Sequence, residues 1–493
     1  MGIRLSGMVS GMDTESMVQE LVSSYSLKKE NYEKSQTKLE WKQEKWQELN
    51  AKIYKLYTGS LGNLRMSKAY NSKKTIASDE TKASVIAASN AIAGSQSLEV
   101  KELASTAYLT GADLKGDFKA SSKLSELGIT KDTTITLTIG GESKEIALTP
   151  DMTISKFTQA LKEEGLNASF DENNQRFFIS AKNSGKAADF ELSGDFAALG
   201  ALGIDYNGAD SGAVKIDGAD AKILLNGAEF TSSSNNFSIN GLTIEVKEKT
   251  TSAITLSTST DVDAIYNSIK GFIKEYNELI KELDTVYGAD SAKGYEPLTS
   301  EEKEAMSEED IEKWEKKIKD SLLRRDGTVS TISSMLKNTM QSTYEINGKK
   351  YSLSTFGIGT LGYFTSTEFE KGVYHIDGDA EDSSTSGNDD KLKSLIAADP
   401  EAVGAFFKNL ASDLYTKIGE KMEATRLSSA FTVYNDKQMS TELTDIKKKI
   451  SEWEDYVTEQ EDYWYSKFTA MEKALSELQS NSSYLSGLLG TAQ

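Results

Sequence analysis

The chain of 493 residues contains no cysteine. That absence excludes disulfides, thiolate zinc sites, iron–sulfur clusters and cysteine nucleophiles together. Histidine occurs once, at His375, so no histidine pair can share a helix face around a metal. We read His375 as an ordinary strand or turn residue. Basic charge is in deficit: 56 Lys and Arg stand against 76 Asp and Glu, a formal net charge of -20. With no dense basic cluster to meet phosphates, nucleic acid and anionic membrane are poor partners. No apolar run approaches the ~20 residues a bilayer needs, so membrane insertion is not expected. The opening Met1-Gly2-Ile3-Arg4-Leu5-Ser6 lacks the apolar stretch of a Sec signal peptide. It matches the short Met-Gly-x-x-x-Ser acylation pattern, which is set aside as too short to carry weight. Hydrophobic residues make up only 38%, under the ~45–50% of typical domains. Thin or elongated parts with little core are therefore expected.

Proline is the third scarcity. Pro150, Pro297 and Pro400 are all there are, so residues 1–149 and 401–493 are free to form long helices. Both ends carry the pattern of one. At the N-terminal end Asp13 is placed to cap a helix. Val18, Tyr25, Tyr32, Leu39, Trp46 and Ile53 then recur at seven-residue spacing. Leu21, Leu49 and Leu56 fill the complementary position at the two extremes, and Lys28, Ser35 and Lys42 occupy it in the middle. A seam apolar at one heptad position and polar at the other makes a weak coiled coil by itself. At the C-terminal end Met439, Leu443, Ile446, Ile450, Trp453 and Val457 follow 4-3-4-3-4 spacing; Gln460, Trp464, Phe468, Met471, Leu475 and Leu478 continue it. The four-residue step from Trp464 to Phe468, where three was due, is a stutter that locally unwinds a supercoil. These stripes read as helix-pairing surfaces, not as a cofactor box.

Between the ends the texture changes. Residues from about 83 to 260 are rich in Ser, Thr, Gly and Asn with short alternating runs. Residues 135–139 alternate, meet Gly140-Gly141 and resume at 145–148, a hairpin signal. Residues 176–179 and 242–246 are further strands, and Thr153–Glu164 is a short amphipathic helix. Helices return after Asp261, a cap for a stripe of Ile265, Ile269, Phe272, Ile273, Tyr276, Leu279, Ile280 and Leu283. Thr299-x-x-Glu302 after Pro297 is a capping box, and 299–325 reads as a solvated helical hairpin. Residues 351–376 look like strands, and 377–391 like a Gly/Ser/Asp loop.

Chemistry-bearing motifs are few. Asp377-Gly378-Asp379-Ala380-Glu381-Asp382 resembles a calcium loop but lacks Gly at the sixth position and the terminal Glu, so a flexible linker is the better reading. Gly140-Gly141 is not followed by Lys-Ser/Thr, so it is a turn and not a phosphate cradle. No Gly-x-Ser-x-Gly elbow is present. No catalytic residue, cofactor or metal ligand is assigned, and the chain is read as not an enzyme.

Two terminal segments carry a resemblance. Leu5-Ser6-Gly7-Met8-Val9-Ser10-Gly11-Met12-Asp13-Thr14-Glu15-Ser16-Met17-Val18 resembles the start of the flagellar filament-capping (hook-associated protein 2) family. Met471-Glu472-x-Ala474-Leu475 and Ser482-Ser483-Tyr484-Leu485-Ser486-Gly487-Leu488-Leu489 are similar to its end. Colinear with these are Ile223–Gly227, Asn240–Thr243, and Asp399-Pro400-Glu401-Ala402-Val403 with Phe406-Phe407; Pro297-Leu298-Thr299 resembles the Gram-positive branch. The stretch at roughly 105–215 matches least.

The expected fold is α+β and multidomain: long terminal coiled-coil helices forming a stalk, a mixed helix and strand leg domain, and β-rich head domains inserted in the middle. The expected boundaries are 1–45 with 437–493 for the terminal helices, 46–104 with 262–436 for the helix-rich body, 105–200 for an outer α+β head and 201–261 for a β-rich head subdomain. The helix-pairing residues are Val18, Leu21, Tyr25, Tyr32, Leu39, Trp46, Leu443, Ile446, Ile450, Trp453, Val457, Trp464, Phe468, Met471, Leu475, Leu478, Leu485 and Leu488.

The resemblance implies export through the flagellar type III channel, which a cysteine-free chain suits. It further implies a ring of four to six copies at the filament tip, action on flagellin, and an export chaperone as partner. Three alternatives stand beside it: another axial flagellar protein such as flagellin or a hook–filament junction protein, an adhesin whose strand-rich middle binds host mucin or glycan, and an enzyme such as a glycosidase on an extracellular stalk.

Overall fold

The structure, a computed structural model, describes residues 11–208, 211–362 and 370–490, with side chains to 486 at the C-terminal end. Residues 1–10 of the opening motif and the Leu488 side chain lie outside the described residues. The chain divides into two compact units, Met1–Tyr70 with Ile265–Gln493, and Asn71–Ala264.

Helix α1 spans Thr14–Thr58 and contains neither Gly nor Pro. Asp13 caps it, accepting the Ser16 N–H at 3.0 Å. Gly59 ends it, and a short α2 (Ser60–Leu64) follows.

The second unit contains two cores. The chain enters through β1 (Lys73–Ala77), β2 (Ala83–Ala87) and β3 (Gly94–Glu102). It then builds an inserted module from β4 (Thr106–Thr110), β5 (Thr133–Ile139), β6 (Glu142–Leu148), α3 (Ile154–Glu163), β7 (Leu166–Asp171), β8 (Arg176–Ser184), β9 (Phe190–Gly194), α4 (Phe196–Ala201) and β10 (Val214–Ile216). Their sheets run β10-β4-β8-β7 and β6-β5-β9. Ile135, Leu137, Phe157, Leu161, Phe177 and Ile179 lie among the residues of its core. The chain returns through β11 (Ala221–Leu225), β12 (Ala228–Ser232), β13 (Asn236–Ile239), β14 (Leu242–Val246) and β15 (Ile254–Thr260). These complete a β1-β15-β3-β11-β12 sheet and a β13-β14-β2 sheet around Leu98, Val100, Ile223, Ile244 and Leu256.

The strands at 73–102 were expected in the helix-rich body and 201–216 in the β-rich subdomain. Instead β1 to β3 pair with β11, β14 and β15, while β10 pairs with β4 in the inserted module. The partners are more than a hundred residues apart in sequence, so no local pattern could reveal the pairing.

The hairpins follow turn chemistry. Gly140-Gly141, Asn226-Gly227 and Asn240-Gly241 all take positive φ at both positions of two-residue loops. That is the type I′ geometry, whose twist matches a hairpin and which Asn-Gly favours.

The first unit resumes with α5 (Val262–Gly288), α6 (Ser300–Glu304), α7 (Glu308–Ser321) and α8 (Gly327–Met340). The expected apolar stripe of α5, from Ile265 through Leu283, is buried. Thr299 and Glu302 form the capping box, although the helix it starts is only one turn. Short strands β16 (Tyr344–Ile346), β17 (Lys349–Tyr351), β18 (Ile358–Thr360) and β19 (Tyr374–Ile376) make two small two-stranded sheets, β16-β17 and β18-β19, and 353–356 is a 3₁₀ turn rather than strand. Then come α9 (Lys391–Ala398), α10 (Pro400–Lys421) and α11 (Asp436–Gly490). Pro400 stands at the first turn of α10, where its missing N–H loses nothing.

Candidate assembly interface

α1 and α11 pair antiparallel along the first unit. The register is visible in the side chains: Tyr25 meets Tyr456 edge-on at 5.3 Å, Lys28 lies over Trp453 at 4.9 Å, Lys449 lies over Tyr32 at 5.5 Å, and Trp46 stacks on Tyr434 at 5.3 Å. Lys29–Glu454 and Glu40–Lys447 link the two helices by charge.

Of the residues proposed for pairing, Val18 and Trp46 are buried, and Tyr25, Tyr32 and Leu39 are half-buried. Leu21 is 41% exposed, and Val22 takes the inner place. Along the lower part of α1 the covered residues follow each heptad position by four: Val22, Lys29, Gln36 and Gln43 are all more covered than Leu21. Above Trp46 the step becomes three, and Leu49, Ile53 and Leu56 are buried. Neighbours at three and four residues both lie close on a helix, so spacing alone left the choice open. The seam stays apolar at one position and polar at the other, with Lys29, Gln36 and Gln43 in place of Lys28, Ser35 and Lys42.

On α11, Leu443, Ile446, Ile450, Trp453, Val457, Trp464, Phe468, Met471 and Leu475 are half-buried. Leu478 is 64% exposed and Leu485 58%. The register explains this. Tyr25 lies opposite Tyr456, so Thr14 falls near residue 467, and α11 runs on past the first turn of α1.

Residues 422–435, between α10 and α11, are fastened to α1. The Asn50 side chain donates to the Phe431 carbonyl at 3.1 Å and accepts the Val433 N–H at 2.9 Å. Asp436 accepts the Ser429 N–H at 2.6 Å and the Thr432 hydroxyl at 3.3 Å. Burial opposes ionisation of Asp436, but hydrogen bonds from Ser429 and Thr432 outweigh it and hold the carboxyl below its usual range. Phe431 has φ +63, a left-handed conformation that a bulky residue rarely adopts. Tyr57 stacks on Tyr415 at 4.0 Å under Arg65. The Tyr415 hydroxyl bond, then burial, push the Tyr57 hydroxyl up to about 12. Neither Asn50 nor Phe431 was singled out from sequence, where an Asn in a helix and a Phe in a loop carry no signal.

The acidic loop spends its carboxylates on protein partners. Asp377 accepts from Asn388, Asp379 and Glu381 meet Lys270, and Asp382 meets His375 Nδ1 at 2.5 Å. His375 sits in β19, as a strand residue. Among the described residues no group of three or more His, Cys, Asp or Glu could hold a metal, and no helix is long and apolar enough to cross a membrane.

Fold and seam together define a class: a protein in which two long helices near the chain ends pair antiparallel and a strand-rich unit is inserted between them in sequence. Residues 10–107 match the family model for the N-terminus of flagellar hook-associated protein 2, and 218–480 match that for its C-terminus. The chain belongs to the flagellar hook-associated protein 2 family. It is 23% identical to flagellar hook-associated protein 2 of Halalkalibacterium halodurans over 98% of this chain and 99% of that one. To that of Escherichia coli K12 it is 23% identical over 87% and 86%. In fold it resembles the D1, D2 and D3 domains of the flagellar cap protein FliD from Escherichia coli, with a TM-score of 0.51 and 21% identity over 75% of this chain and 94% of that one. The stretch between the two family matches coincides with the inserted module of β4 to β10.

Proposed function

We infer that the chain caps the tip of the flagellar filament as a ring of its own copies, under which exported flagellin folds and inserts. Membership of the hook-associated protein 2 family carries the reading, and the paired terminal helices support it. A half-buried seam, polar at every second contact position, is strong enough to form and weak enough to release. That is what a part gripping a growing filament end requires. In this reading residues 14–45 with 447–490 grip the filament, the helical body supports them, and the strand-rich unit of 71–264 serves the cap proper. Export through the flagellar type III channel with a dedicated chaperone, and a ring of four to six copies, belong to the same reading.

Two measurements test it. In a strain lacking the gene, flagellin should leak into the medium and filaments should be short; restoring the chain should reverse both. Purified protein should give closed rings by mass measurement and negative-stain imaging. Long filaments would instead mark a polymerising axial protein and overturn the capping assignment.

A further inference from the structure

One face of α1 borders a cleft, and roughly the opposite face carries an exposed aromatic knob at the same level. The cleft, about 1220 Å³, opens between α1, α5 and α7. Lys45, Lys52 and Lys55 enter it from α1, Lys281 from α5, and Lys313 and Lys317 from α7. Seven lysines and five carboxylates line it, and three of the lysines are paired within it, Lys52 with Glu282, Lys55 with Glu275 and Lys316 with Asp320. The buried Leu56, Leu279 and Val286 lie among them.

The knob is Phe431, 56% exposed, with Tyr54 packed edge-on at 5.8 Å and itself 40% exposed. Its ring stays largely in water, so burial of that ring does not account for the left-handed backbone beneath it. The backbone is held by Asn50 and by the Met422 carbonyl, which accepts the Phe431 N–H at 2.8 Å. A rigid support thus presents an aromatic side chain to solvent. Strained, over-determined positions of this kind concentrate where a protein binds or switches, and aromatic anchors on preorganised supports dominate binding surfaces.

With 3.6 residues per turn, Lys45, Lys52 and Lys55 fall on one side of α1; Asn50 and Tyr54, which flank Phe431, fall on the roughly opposite side. A knob and a hole on opposite faces of one subunit suit head-to-tail contact, which closes into a ring when the rotation permits. The chemistry also matches. Lysine stems, three of them with their ammonium groups held by carboxylates, offer apolar walls to a ring that enters between them, and Leu56, Leu279 and Val286 add apolar surface to the same cleft.

We propose that Phe431 and Tyr54 of one copy insert into the lysine-lined cleft of the next, so that neighbouring copies of this chain touch through their helical units. The contact rests on the ring reading above and names one of the surfaces that close it.

Because the chain has no cysteine, engineered pairs have no background. Thr285 is exposed and lines the cleft. The full-length double variant Phe431→Cys, Thr285→Cys, oxidised mildly at ring-forming concentration, should give a covalent ladder that ends at the closed ring on a non-reducing gel. Each single variant should give no species beyond a dimer. Rings present by mass without a ladder would refute this contact while leaving the capping assignment intact. No rings from the unaltered chain would refute the ring reading and this contact with it. Phe431→Gly provides a second test independent of cross-linking, because glycine takes positive φ freely. The monomer should melt no lower than the unaltered chain, while the dissociation constant of the ring rises at least tenfold. A ring as tight as that of the unaltered chain, within twofold, would overturn the proposal.

Discussion

The two halves of α1 carry similar heptads and end in different surroundings. Above Trp46, Leu49 and Ile53 are 0% exposed. Below it, Tyr25, Tyr32 and Leu39 stay half-buried on the side that meets α11, and of the apolar residues there only Val18 and Val22, near the start of the helix, are buried. One heptad position is apolar in both halves; the complementary one is polar at Lys29, Gln36 and Gln43 below Trp46 and apolar at Leu49 and Leu56 above it, where more elements surround the helix. Full burial of a large apolar side chain is worth about 1.5–3 kcal/mol, and one partner helix covers only part of that surface. The lower half relies instead on aromatic and charged pairs such as Tyr25–Tyr456 and Lys29–Glu454, each worth about 1 kcal/mol or less. One continuous helix therefore joins a cooperative core to a coil that can open locally.

The contrast can be broken by substitution. Ile53→Ala should cost about 2–5 kcal/mol, because it opens a cavity in a core that relaxes only partly. The first unit's melting temperature, read by calorimetry, should fall clearly. Asn50→Ala should come next, at about 1–3 kcal/mol, because the Val433 N–H and Phe431 carbonyl lose their shared partner. Limited proteolysis should then cut within 422–435 before anywhere else in α10 or α11. Tyr25→Ala should cost only about 0.5–1.5 kcal/mol, with faster amide exchange along 14–40 and unchanged exchange at Leu49 and Ile53. If Tyr25→Ala lowered the melting temperature as far as Ile53→Ala, the lower coil would be part of the cooperative core and the comparison would fail.

The sequence shows this contrast only in part. Asp13 and Asp261 were legible as the caps of α1 and α5. Heptad spacing locates both terminal helices and the stripe from Val18 to Trp46, because helical periodicity is local. It does not choose between Leu21 and Val22, since that depends on how α11 crosses α1. Nor does it show that β3 pairs with β11, because the chain between them folds into a separate module. The Asn-Gly pairs at 226–227 and 240–241 were legible as hairpin turns, and reading them so would have fixed the strand register around β11 to β14. The fastening at Asn50 could not be read, because it joins residues nearly four hundred positions apart.

The mildest perturbation of the comparison is acid. Asp436 starts α11 and ties Ser429 and Thr432 to it. Its carboxyl is held below the usual 3.8 by those bonds, against the opposing pull of burial. A depressed folded value means the ionised group favours the folded state. That contribution is present above about 3.8, the unfolded value, and is lost as pH falls through the folded one. Asp436→Asn should therefore melt lower than the unaltered chain at pH 6, and the gap should close as pH is lowered toward 2.5. The loss should fall on the junction, where the core half of α1 gives way to the coil, so amide exchange at Val433 and Tyr434 should respond before exchange at Ile53. A gap between the two proteins that stays constant from pH 6 to 2.5 would show that Asp436 acts through packing alone, and the junction would then carry no charge-dependent fastening.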